Sequence, residues 1–200
     1  MLRYLIYVWA AAIAATSARG GTTGLAGPEH RAWIHADVPV WDIANEGLPF
    51  RFTLALRSSR DPISRLLLAR EARWTFSLGY ARAYNSFDAT TGVFKNPGGN
   101  AALLSVGRQF RWHLPYLAGP FTPRVVIEFG VHYATRRFPA DGTRGNFKLI
   151  SGLEWTWPDR GRNHEWSAAI IWPHFSNADV LERNSGYDGL ALRFGRSIRF

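Results

Sequence analysis

The segment 187–200 constrains the fold of this chain more than any other. Leu190, Leu192, Phe194, Ile198 and Phe200 share one parity, broken only by Arg196, while Gly189, Ala191, Arg193, Gly195, Ser197 and Arg199 share the other. Side chains alternate between the two faces of a strand, so this is an extended segment with one apolar face and one polar or small-residue face. Two architectures use such a strand. A soluble β-sandwich places it at an edge with the apolar face on a core. A membrane-spanning barrel turns the apolar face outward to lipid and the polar face into the lumen.

The remainder of the chain favours the barrel. About eight extended segments are expected, at 31–43, 50–57, 72–84, 101–113, 123–135, 146–157, 164–176 and 187–200. Breakers separate most of them: Asn45-Glu46-Gly47, Asn96 to Asn100, Leu114-Pro115 through Gly119-Pro120, Pro139 to Gly145, and Asp159-Arg160-Gly161. Segment 59–70, with Leu66-Leu67-Leu68 at its centre, fits a helical turn or part of a strand. Met1-Leu2-Arg3, the apolar stretch Tyr4 to Ala15 and the small residues Thr16-Ser17-Ala18 read as an export signal cleaved after Ala18. After Ala18 no apolar run approaches the about 18 residues that a spanning helix needs. A terminal aromatic preceded by alternating apolar residues also resembles the C-terminal signal of outer-membrane barrels. The expected organisation is a signal peptide over 1–18 and one all-β domain over 19–200: a small antiparallel outer-membrane β-barrel of about eight strands.

Composition fits that setting. The nine Trp suit strands and interfacial girdles. The absence of Cys removes disulfides and Cys-ligated metals. The formal charge of +9 is carried by 22 Arg and two Lys. Planar guanidinium groups grip phosphate with two donors, which makes an anionic lipid surface a fitting partner. Nucleic acid is the usual alternative, but the export signal and the scatter of the arginines argue against it. Residue by residue, the plain expectation for an Arg is a solvated loop or a lumen charge.

Within the run Pro173-His174-Phe175-Ser176-Asn177-Ala178, His174 and Ser176 fall on the same face of one strand. An imidazole beside a hydroxyl is what a serine hydrolase needs. With both termini periplasmic, the connection between the seventh and eighth strands faces outward, which puts the pair at the outer-leaflet end. A hairpin turning near Leu181 sets position 174 opposite 188, so Asp188 completes a serine triad drawn across one hairpin. Each piece also has an ordinary reading. His and Ser two apart on a strand are commonly unrelated surface residues. Asn177 suits the start of a loop, and Asp188 beside Gly186 and Gly189 suits a turn. The other histidines, His30, His35, His113, His132 and His164, show no metal-ligand spacing, and His132 is expected to pack or hydrogen-bond within its strand.

His174, Ser176 and Asn177, the segment Asn184-Ser185-Gly186-Tyr187-Asp188 and the segment Val126 to His132 together resemble the lipid A 3-O-deacylase family of Gram-negative outer membranes. The resemblance extends over about residues 120–200. It implies that Ser176 attacks the ester at the 3-position of lipid A, that His174 acts as base and then acid, and that Asp188 orients the imidazole. Asn177 would stabilise the oxyanion. Asp188 stands where the best-known members carry Glu, and Asp179 and Glu182 on the same loop are substitutes for it. No metal or organic cofactor is implied, and the partner is lipopolysaccharide in the outer leaflet. Two other readings stay open: a non-enzymatic barrel for adhesion or lipopolysaccharide packing, and a different outer-membrane acyl-ester hydrolase or acyltransferase.

Overall fold

The computed structural model describes residues 31–42, 47–58, 62–83, 86–88, 93–96, 99–114, 122–138, 143–159, 164–177 and 186–199. The expected export signal, His30, Asp179 and Glu182 lie outside these residues. The strands are β1 (Arg31–Asp42), β2 (Gly47–Arg57), β3 (Glu71–Ala83), β4 (Ser86–Asp88), β5 (Val93–Asn96), β6 (Gly99–His113), β7 (Thr122–Ala134), β8 (Gly145–Pro158), β9 (Glu165–Ser176) and β10 (Tyr187–Arg199), with a short helix α1 (Pro62–Leu66) before β3. Eight of them close into one antiparallel barrel in the order β1-β10-β9-β8-β7-β6-β3-β2. The closing pair runs from Arg31 opposite Arg199 to Asp42 opposite Gly189, with a bulge between Pro39 and Trp41.

The eight barrel strands fall on the eight segments expected from the sequence. The ambiguous stretch 59–70 resolves into α1 and a turn in which Leu68 takes a left-handed backbone, φ 53°. The pair β4–β5, which forms a separate two-stranded sheet, lies where the sequence suggested only a connection. Three and four residues are too few for alternation to register as a pattern.

Alternation explains why the sheet closes with this sense. Along β2, Phe52 is 65% exposed and Thr53 is 1% exposed; along β3, Leu78 is 60% exposed and Ser77 is 6%. The outward rows are apolar on strand after strand, including Ile34, Phe76, Leu104, Val131, Ile170 and Phe194. Such a surface is stable only against lipid. Arg196, the exception on the outward row of β10, lies over the Trp166 ring at 4.9 Å and donates to Asp159 at 2.9 Å. Its charge is thereby led back towards the rim where β1 starts and β10 ends.

The lumen is filled by charged side chains closed into pairs. Asp37 accepts from Arg51 at 2.6 Å and from Arg193 at 2.6 and 3.0 Å. Glu128 pairs with Lys148 and accepts from Thr75 at 2.9 Å. Closer to the terminal rim, Glu71 accepts from Arg73 at 2.8 Å and Arg111 at 2.7 Å, and Arg111 also pairs with Glu154. The Arg73 guanidinium lies 3.3 Å from the centre of the Trp33 ring. These arginines are the lumen charges that the sequence reading allowed for. Burial of an ion is tolerated here because each has an opposite charge in contact.

Candidate active site

The candidate site sits where β9 ends and β10 begins, at the rim opposite the start of β1 and the end of β10. Outward residues of β9 are Ile170, Trp172, His174 and Ser176, while Ile171, Pro173 and Phe175 point inward and are buried. On β10 the outward row begins with Asp188, followed by Leu190 and Leu192. The hairpin register pairs Asp188 with His174 and Tyr187 with Phe175, the register expected from a turn near Leu181. Directly opposed residues on one face bring their side chains together. His174 Nδ1 lies 3.0 Å from Asp188 Oδ1. An ionised carboxylate only accepts, so Nδ1 is the donor in this pair, and in a neutral imidazole Nε2 is then the acceptor.

Trp172 Nε1 donates to the same Asp188 oxygen at 2.9 Å. The sequence reading missed this contact, although Trp172 precedes His174 by two positions and so shares its face. Ser176, partly buried, ends β9 on that same face. Gly186 explains how closely the chain can fold over the pair. Its φ is +69°, and a Cβ placed there would meet Phe175 O at 3.1 Å, His174 Cε1 at 3.3 Å and Ser176 Cβ at 3.4 Å. The imidazole edge and the serine therefore converge on one spot that only a glycine leaves open, in a backbone conformation that glycine adopts readily. Asn177 follows the strand and is 2% exposed.

Behind this outward cluster stands an inward aromatic one. Phe175, between His174 and Ser176 in sequence, stacks on His132 at 4.6 Å and on Tyr187 at 5.5 Å, with Phe138 6.2 Å away. The Arg51 guanidinium approaches the Phe175 ring to 5.3 Å. His132 thus packs across the barrel onto β9 rather than within its own strand. Gly189 leaves room for the Tyr187 side chain, whose hydroxyl would come within 2.0 Å of any Cβ there. All four rings are almost wholly buried, which fixes the backbone that carries His174, Ser176 and Asp188. His35 is buried in the lumen, His113 ends β6, and His164 precedes β9. Among the described residues, no group of three or more His, Asp or Glu is placed to hold a metal ion.

A closed antiparallel barrel, apolar outside and ionic within, is an outer-membrane β-barrel, and this one carries an imidazole–carboxylate pair at one rim. The family model described as lipid A 3-O-deacylase (PagL) matches residues 64–197, and the chain belongs to this family. A solved structure, that of the outer membrane enzyme PagL, superposes with a TM-score of 0.57 at 15% identity, covering 82% of this chain and 97% of the other. The structure of a major outer membrane protein from Thermus thermophilus superposes with a TM-score of 0.44 at 9% identity, over 86% of this chain and 99% of the other. No curated protein sequence matches the chain. The protein is accordingly an outer-membrane barrel of a deacylase family whose substrate is lipid A.

Proposed function

We propose that this barrel hydrolyses the 3-position acyl ester of lipid A with Ser176 as nucleophile, His174 as general base and Asp188 as the acid that orients it. The observation that carries the reading is the 3.0 Å contact between His174 Nδ1 and Asp188 Oδ1 on the lipid-facing side, beside Ser176. With Nδ1 held by the carboxylate, Nε2 takes the Ser176 hydroxyl proton as Oγ attacks the ester carbonyl carbon. Asn177 supplies the donor that receives the developing oxyanion, through its backbone N–H or its amide. As the tetrahedral intermediate collapses, the proton passes from Nε2 to the departing sugar hydroxyl, leaving an acyl-serine. Water, deprotonated by the same nitrogen, releases the 3-hydroxy fatty acid and restores Ser176. The outward position suits the substrate, because an ester of a lipid that stays in the leaflet meets the catalytic groups without leaving it.

Mass comparison of lipid A before and after incubation with the purified protein tests the reaction. Loss of one 3-hydroxyacyl chain is expected. Fatty acid released from phospholipid instead would identify a different acyl-ester hydrolase, and no change at all would leave a non-enzymatic barrel. We also propose that residues 1–18 are removed on export. N-terminal sequencing of the outer-membrane form should then begin at Arg19, and an intact Met1 in that fraction would overturn the proposal.

A further inference from the structure

The barrel wall across from the β9–β10 hairpin carries a groove that the proposed reaction does not use. It is an open depression of about 530 Å³ on the outward faces of β3, β6 and β7, walled by Phe76, Leu78, Leu104, Val106, Val131 and Tyr133. Its floor is the backbone at Ser77, Ser105 and His132. In the closed strand order, β3 and β6 stand opposite β9 and β10, while β7 is parted from β9 by β8. The groove runs from the middle of β3 and β6 to the end of β7 that lies at the same rim as the candidate site.

Three cations stand above the groove. Arg82 is exposed on the outward row of β3, two residues beyond Tyr80. Arg136 is exposed just after β7, and its Nη1 comes within 3.0 Å of the Cβ position of Gly99 at the start of β6. Arg144, also exposed, is tied to β7 by the bond from Ala134 N to its carbonyl at 2.7 Å. Among the described residues, none of the three has a carboxylate partner. They differ in this from Arg51, Arg111 and Arg193 in the lumen, each of which contacts a carboxylate. An apolar trough beneath three exposed guanidinium groups matches one kind of molecule: an acylated sugar bearing phosphate.

We propose that this face is a second, non-catalytic binding site for lipopolysaccharide, with acyl chains of lipid A in the groove and its phosphates on Arg82, Arg136 and Arg144. A zwitterionic phospholipid presents one phosphate whose charge is balanced by its own amine, so it gains less from three cations. The site keeps a lipid A molecule against the barrel on the side away from the catalytic hairpin.

Photolabelling tests this. Lipid A carrying a photoreactive group on an amide-linked chain, which an ester hydrolase leaves in place, is supplied in trace amount to the full-length protein in phosphatidylcholine nanodiscs. Phosphatidylethanolamine with the same group is supplied separately. Peptides containing Phe76, Leu104 and Tyr133 should be labelled by lipid A about tenfold more than by phosphatidylethanolamine, given three favourable charge contacts. The triple variant Arg82→Gln, Arg136→Gln, Arg144→Gln should lower lipid A labelling there to the phospholipid level. It should leave labelling near β9–β10 and the deacylation rate unchanged. The corresponding triple Lys variant, which keeps the charge, should retain most of the labelling and shows that fold is not at issue. Equal labelling by the two lipids, an unaffected Gln variant, or loss at both faces together would overturn a separate site.

Discussion

Polar side chains occupy two regions of this barrel, and they do so on opposite terms. In the lumen, Asp37, Glu128 and Glu154 are each locked against cations, and the members of these networks are almost fully buried. On the outer face, His174 and Asp188 keep side-chain exposures of 25% and 33%, in rows whose other members, Ser176 and Arg196 apart, are apolar. The interior set fills space that would otherwise be empty or wet, so the fold itself accounts for it. The outward set does nothing for the fold that Leu or Val would not do better against lipid. On the proposed reading, an outward polar pair with no task in the fold is the one left for chemistry.

The sharpest way to break that contrast is to remove one member from each region. Ser176→Ala and His174→Ala should each lower turnover of lipid A by about 10⁴-fold or more, with the double variant little worse than either single one, because such groups act as a unit. Both should retain the heat-modifiable gel shift of a folded barrel. Glu154→Ala should do the reverse. It strips Arg111 of one of two buried carboxylates and should cost about 3–5 kcal/mol in urea unfolding, with turnover per folded molecule held. A Ser176→Ala barrel that deacylates at the wild-type rate would end the nucleophile assignment. A Glu154→Ala barrel of unchanged stability would show that the lumen pairs are not what holds the fold.

A smaller effect is expected at the acid. Asp188→Asn keeps the shape but can present its N–H to His174 Nδ1, favouring the wrong tautomer, and should reduce kcat on the order of 10³-fold. Asp188→Glu should keep substantial activity, since the added methylene is accommodated at a strand end. Glu182→Gln should change little. If Glu182→Gln is the damaging variant and Asp188→Asn is mild, the working acid belongs to the loop and the β9–β10 contact is structural.

Much of this arrangement was legible in the sequence because a strand imposes a period of two. Parity alone placed Leu190, Leu192 and Phe194 outward and Arg193 and Ser197 inward, and parity plus a turn near Leu181 placed Asp188 opposite His174. Other features escaped because they depend on which strands meet across a closed lumen. Nothing local to Phe175 announces that it lies against His132 from β7 and Arg51 from β2. Similarly, Arg82 is more than fifty residues from Arg136 and Arg144 and joins them at one rim only because β3 and β7 both flank β6. The β4–β5 hairpin and the α1 turn were illegible for a different reason, being too short for either period to repeat.

The subtlest test concerns Trp172, whose indole shares Asp188 Oδ1 with the imidazole. One oxygen accepting from two donors on the same strand is pinned from both sides, so in the proposed triad Trp172 would position the acid without touching the substrate. Trp172→Phe keeps the apolar ring against lipid and deletes only the N–H. A hydrogen bond to a charged group contributes about 1.5–3 kcal/mol, but Asp188 retains its contact to His174, so kcat should fall only about three- to tenfold. KM should stay near its wild-type value, because ring area is nearly conserved. A Trp172 that serves mainly as a platform for acyl chains would give the opposite division, with KM raised and kcat intact in Trp172→Ala and no effect at all in Trp172→Phe. Steady-state rates over a range of lipid A in mixed micelles separate the two, and a silent Trp172→Phe would remove the indole from the account of how Asp188 is held.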